Sequence, residues 1–176
     1  MVWLIILGVV GLVFAPAMWL RPSPRQQRLI QLREAARHAG IIVRIENSPL
    51  HDGGEMLPAY RWPYPAQQPG PDFVLVRDAV ASQALKRYQA GWRWRMEPLR
   101  PLPDAAQERL LALLARLPED ALVVESGAAA LTLWWDESLD IASLESLAAD
   151  FAELRDSLAN RPDRPGAHRR LQSPRA

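Results

Sequence analysis

The sequence has no cysteine among its 176 residues. That excludes a disulfide framework and any thiolate metal site. Lysine is nearly absent: Lys86 stands alone, and arginine carries the remaining positive charge, the bias of a GC-rich genome. The formal net charge is only +1, so no global field draws in nucleic acid. The three histidines, His38, His51 and His168, do not fall at the i, i+4 spacing that places two ligands on one helix face. No phosphate-binding loop, dinucleotide fingerprint or nucleophile elbow is present. These absences leave no catalytic residue, metal ligand or cofactor site to assign.

What the sequence does have is a long apolar run. Val2 to Leu20 carries no charged residue for about 19 positions, the length a helix needs to cross a bilayer. Trp3 and Trp19 lie near its ends, where indoles favour the membrane interface. Nothing basic precedes the run, and its end is bulky, so it reads as a retained anchor rather than a cleaved signal. Arg21, Arg25 and Arg28 flank it on the carboxyl side, with Arg33 and Arg37 beyond. The positive-inside rule then places the amino terminus outside a bacterial inner membrane and the rest of the chain in the cytoplasm. The expected organisation is an anchor over 1–21, a cytoplasmic α+β domain over 22–159 and a disordered basic tail over 160–176.

Within that domain, Ser23-Pro24 has the form of a helix start, and Leu29, Leu32 and Ala36 give one apolar stripe. Gly40 is placed to stop the helix, and Ile41–Ile45 follows as a β-branched strand. Tyr60–Trp62 reads as a short edge strand, because Pro58, Pro63 and Pro65 crowd it. Phe73–Val76, Leu122–Glu125 and Leu131–Trp135 read as strands. Asp104 and Asp140 are expected to cap two helices, ending near Leu117 and Leu158. Residues 28–43 also echo residues 109–124 without gaps: Arg28-Leu29-Ile30 and Ile41-Ile42-Val43 fall on Arg109-Leu110-Leu111 and Leu122-Val123-Val124. The echo suggests two α-β-β units sharing one antiparallel or mixed sheet.

Trp92-Arg93-Trp94-Arg95 alternates with the two-residue period of a half-buried strand, which puts tryptophans in the core and arginines in water. Lys86, Arg87, Arg93, Arg95 and Arg100 are the candidate binding patch. Aromatics and arginines on opposite faces disfavour stacking on single-stranded nucleic acid and favour an acidic partner or anionic headgroups. The His51-Asp52-Gly53-Gly54 tetrad reads as a solvated turn. Asp136, Glu137 and Asp140 read as charge opposing the dipole at a helix start.

Arg21-Pro22 followed by Pro24-Arg25-Gln26-Gln27-Arg28 resembles the YajC family, the small accessory subunit of the bacterial Sec preprotein translocase. The resemblance covers about the first 45 residues. It implies one span, a basic stretch and a small cytoplasmic domain with a membrane-protein partner. The function expected is a single-span, non-catalytic accessory subunit whose partners are the bilayer and a membrane protein. The alternatives are a membrane-tethered enzyme, or a membrane-tethered binder of nucleic acid or anionic lipid.

Overall fold

The computed structural model describes residue 3, residues 23–50 and residues 55–163. The chain divides into two compact units, residues 1–31 and 32–176. In the first, Ser23 and Gln26 form a reciprocal cap. The Gln26 backbone N–H donates to the Ser23 hydroxyl at 3.2 Å, and the Ser23 N–H donates to the Gln26 side chain at 2.9 Å. This cap opens helix α1 (Pro24–His38). The helix ends at Gly40, whose φ of 77° suits a residue without a side chain. There the Gly40 N–H reaches the Arg37 carbonyl and the Ile41 N–H reaches the Ala36 carbonyl, both at 3.0 Å.

The second unit is an α+β fold around one sheet. Its strands are β1 (Ile42–Asn47), β2 (Met56–Pro63), β3 (Phe73–Arg77), β4 (Lys86–Arg87), β5 (Trp92–Met96), β6 (Ala121–Ser126) and β7 (Ala130–Trp135). Helix α2 (Asp104–Arg116) precedes β6, and helix α3 (Ile141–Leu158) follows β7. The seven strands run β1-β2-β7-β6-β3-β5-β4, every neighbour antiparallel. β2 is therefore interior, not the edge its prolines suggest. Pro58 is accommodated because the ladder to β7 begins only at Ala59, so β1 alone lies beside it.

Strand alternation sorts the side chains onto two faces. Tyr60, Trp62, Phe73, Leu75, Leu133 and Trp135 join the larger core with Leu110, Leu113, Leu114, Phe151 and Leu154 of the helices. Trp62 stacks on Phe151 at 4.1 Å and 10°. On the other face, Leu57, Ala59, Val74, Val76, Val123 and Trp134 form a second cluster, against which Leu50 and Ala81 pack. Asp140 caps α3 as its position suggests, accepting from the Ser143 N–H at 2.7 Å. Asp104 does not cap α2: Pro103 occupies that position, and Asp104 lies inside the first turn.

The structure corrects the single-span expectation, and with it the inner-membrane topology and the translocase-like function. Among the described residues, no helix is long and apolar enough to cross a membrane. Helix α3 has 18 residues but carries Glu145, Asp150, Glu153, Arg155 and Asp156 along its length. The Val2–Leu20 run lies outside the described residues except for Trp3, as do Arg21, the loop 51–54 and the tail from 164 onward.

Candidate binding groove

β4 and β5 form a ribbon at one end of the sheet. The Tyr88 N–H donates to the Trp92 carbonyl at 2.8 Å, and the Trp92 N–H donates to the Gln89 carbonyl at 3.2 Å. Ala90 and Gly91 turn the chain between them with φ of 55° and 77°. Lys86 pairs with Trp94 and Arg87 with Arg93, so Lys86 shares a face with Trp94 while Arg87 shares one with Arg93. On the tryptophan face, Trp94 meets Phe73 edge-on at 5.8 Å and Tyr88 at 4.6 Å with a 55° tilt.

Beyond β5 the chain enters a proline-rich segment, which cannot continue the ladder. Glu97, Pro98, Leu99, Pro101 and Leu102, with Gln107 of α2, enclose a groove of about 380 Å³ whose inner wall is Tyr88 and Trp94. Leu99 is 74% exposed at its lip. The segment is held in place from behind: one oxygen of buried Asp163 accepts from the Leu99 N–H at 3.1 Å and from the Asp72 N–H at 3.0 Å. Lys86 and Glu97 form an ion pair at 2.6 Å. The Tyr88 hydroxyl is buried and, among the described residues, has no hydrogen-bond partner. Burial pushes this phenol above its ordinary range.

The sequence-derived patch is split by this geometry. Trp92 and Trp94 are core, 1% and 9% exposed. Arg87, Arg95 and Arg100 are exposed, and Lys86 is exposed but paired. Arg93 is not in water. It is 3% exposed and binds the Asp78 carboxylate, the Gln83 and Leu85 carbonyls at 3.1 Å each, and the Gln83 side chain at 2.9 Å. It pins the 78–85 loop over the sheet. Arg25 and Arg28 are exposed on α1. His38 is exposed and lies 4.0 Å from Glu34.

The acidic trio also separates. Asp136 is exposed, and its N–H and that of Ser138 both donate to Asp120. Glu137 is buried, where Arg33 donates to it twice and the Tyr60 hydroxyl once. The Glu137 hydrogen bond holds the Arg33 cation more firmly protonated, and burial beside Glu137 pushes the Tyr60 phenol far above its usual range. A second cleft, of about 460 Å³, is lined by Arg116 and by Leu139, Ala142, Ser143, Ser146 and Leu147. Its cation is already committed, since Arg116 binds Asp150 and the Ser146 hydroxyl. Among the described residues, no group of three or more histidine, aspartate or glutamate side chains could hold a metal ion. Sequence reasoning missed Gln107, Asp163 and Leu99. The three prolines around Leu99, Pro98, Pro101 and Pro103, were the available sign that this segment stands off the sheet.

The chain matches no protein-family model and no curated protein. Among solved structures, it is similar to the crystal structure of the mycobacterial trehalose monomycolate transport factor A, TtfA. The identity is 10% over 72% of this chain and 93% of that chain, with a TM-score of 0.38. Nothing about substrate or partner follows from a likeness at that level.

Proposed function

We propose that the protein is a peptide-binding module whose groove takes an extended, proline-containing segment of another protein. The observation that carries this is the Tyr88–Trp94 pair, two aromatic rings forming one wall of a groove with an exposed leucine at its lip. Polyproline II segments bind aromatic-lined grooves because they are already extended and lose little entropy on docking. Their carbonyls are unpaired and need donors. Gln107, which also lines the groove, offers an amide. The Tyr88 hydroxyl, buried with no partner among the described residues, is the kind of group that a modest outward shift of the 97–103 segment would offer to a ligand carbonyl. The volume of about 380 Å³ lies within the range of small ligand sites.

Titrating the chain with a proline-rich decapeptide while following tryptophan fluorescence tests the proposal. Leu99→Asp changes an exposed side chain and should leave the fold intact while weakening binding at least about tenfold, or about 1.4 kcal/mol. Gln107→Ala should weaken it less. A wild-type chain blind to every proline-rich peptide tried, or an L99D variant that binds as well as wild type, would sink the idea.

A further inference from the structure

The two ends of the sheet are built differently. β4, at one end, is two residues long, and both, Lys86 and Arg87, are exposed and basic. Short, charged strands keep a sheet edge from pairing with another chain. β1, at the other end, runs six residues in unbroken register with β2 and holds no proline, lysine or bulge. Among the described residues, no strand pairs with its outer side. Ile42 and Ile45 are 45% and 49% exposed there.

The β1 sequence, Ile42-Val43-Arg44-Ile45-Glu46-Asn47, is self-complementary. When a second copy is laid antiparallel about Ile45, Arg44 faces Glu46 of that copy, Glu46 faces its Arg44, and Ile45 faces its Ile45. Opposed charges at directly facing positions stabilise a strand pair, and like charges destabilise it. Sliding by two residues either way sets Arg44 against Arg44 or Glu46 against Glu46. Sliding by one turns the helix-covered face of one copy to the opposite side. One even register therefore matches both charges, and it is two-fold symmetric, as a closed contact between identical surfaces requires. Arg61 holds Glu46 at 2.5 Å and fixes its carboxylate on that face. Arg44 is 63% exposed and lies 3.7 Å from its own Glu46, a long contact that a second carboxylate can replace.

We infer that the outer edge of β1 pairs with β1 of a second copy of this chain, joining two seven-stranded sheets into one. The contact is independent of the groove, because β1 and the β4–β5 ribbon lie at opposite ends of the sheet. Light scattering of the full-length chain, with thermal melting followed alongside, tests it. Wild type is expected at twice the mass of one chain. R44E and E46R each set like charges across the contact, so each alone is expected at single mass. Mixing the two restores an Arg–Glu pair at both positions and with it the doubled mass. If E46R loses its fold by placing a cation beside Arg61, I45K carries the test, since it alters only an exposed side chain and should also yield single mass. A wild type that stays at single mass overturns the proposal. So does a doubled mass that R44E and I45K leave intact, or a folded R44E and E46R mixture that remains at single mass.

Discussion

Arg33 and Glu137 stand 104 positions apart in the sequence and meet through two parallel hydrogen bonds of 2.7 and 2.6 Å. The Tyr60 hydroxyl adds a third donor to the same carboxylate at 2.9 Å. Three elements thus converge on one buried acid: the end of α1, strand β2 and the loop after β7. Glu137 holds a left-handed φ of 61° to reach them.

Removing that acid should loosen the end of α1. Breaking a fully buried ion pair costs about 3–5 kcal/mol. The Arg33 side chain is 27% exposed, so solvent recovers part of this, and Glu137→Ala is expected to cost about 2 kcal/mol. Glu137→Gly removes the same carboxylate but tolerates the left-handed backbone, so it should be about 1 kcal/mol milder than E137A. Urea midpoints of the two variants read both effects. Equal midpoints would show that the backbone there is unstrained.

Gly70 lies against the ring of Tyr64, and a side-chain carbon added at position 70 would overlap that ring. The ring cannot yield freely. Its hydroxyl is 2.8 Å from the Ser126 hydroxyl, which itself donates to the Pro71 carbonyl at 2.6 Å. Gly70→Ala should therefore cost about 1–3 kcal/mol, the usual range for overpacking. The double variant G70A/Y64A, which vacates the ring, should cost less than the sum of its parts. Strict additivity in denaturant melts would show that the two positions do not touch.

Arg93 and Arg95 are neighbours in a simple alternation but should behave oppositely. Arg93→Ala strips a buried cation from Asp78 and three further acceptors and should cost about 2–4 kcal/mol. Arg95→Ala touches an exposed residue and should stay within about 0.5 kcal/mol. Thermal denaturation of the pair decides it, and a silent R93A would mean that the 78–85 loop does not need its pin.

Tyr64 gives the fold a limit at high pH. Burial pushes its phenol from about 10 to about 12, against a smaller opposing pull from the Ser126 hydrogen bond. The unfolded chain loses this proton near 10 and the folded chain only near 12, so between those values the folded state holds more protons. Stability contributed by Tyr64 is then complete below pH 10 and falls by about 1.4 kcal/mol per pH unit up to 12. Tyr60 and Tyr88 are shifted the same way and add to the slope. Tyr64→Phe should flatten the decline without abolishing it. Melting curves between pH 9 and 12 that match for wild type and Y64F would remove Tyr64 from the account.

The features legible in the sequence were those fixed by a few adjacent residues. Gly40 ends α1 because the stop needs only a left-handed residue after an apolar stripe, and Asp140 caps α3 for an equally local reason. Trp92 and Trp94 were assigned to the core correctly, because their spacing alone puts them on one face. The same spacing said that Arg93 faces the other way but could not say that this face is roofed by a loop. The Arg33–Glu137 pair leaves no local trace, since neither residue's neighbours specify the other. Strand β2 misled because a proline forbids a ladder bond on one side only, and which strands flank it is decided by the rest of the chain. In the groove, the prolines marked a departure from the sheet, while Asp163, which holds that segment, comes from beyond the last helix.

A sheet with one blunt end and one receptive end can be extended a single time. Every added strand at β1 is met on its far side either by another blunt terminus or by a partner already spent. A ribbon or filament would need an acceptor at both ends, and the two-residue β4 supplies none. Adding length and removing charge at Lys86 and Arg87 would therefore carry a hazard that no change in the core does. It would turn a chain whose growth halts into one able to propagate.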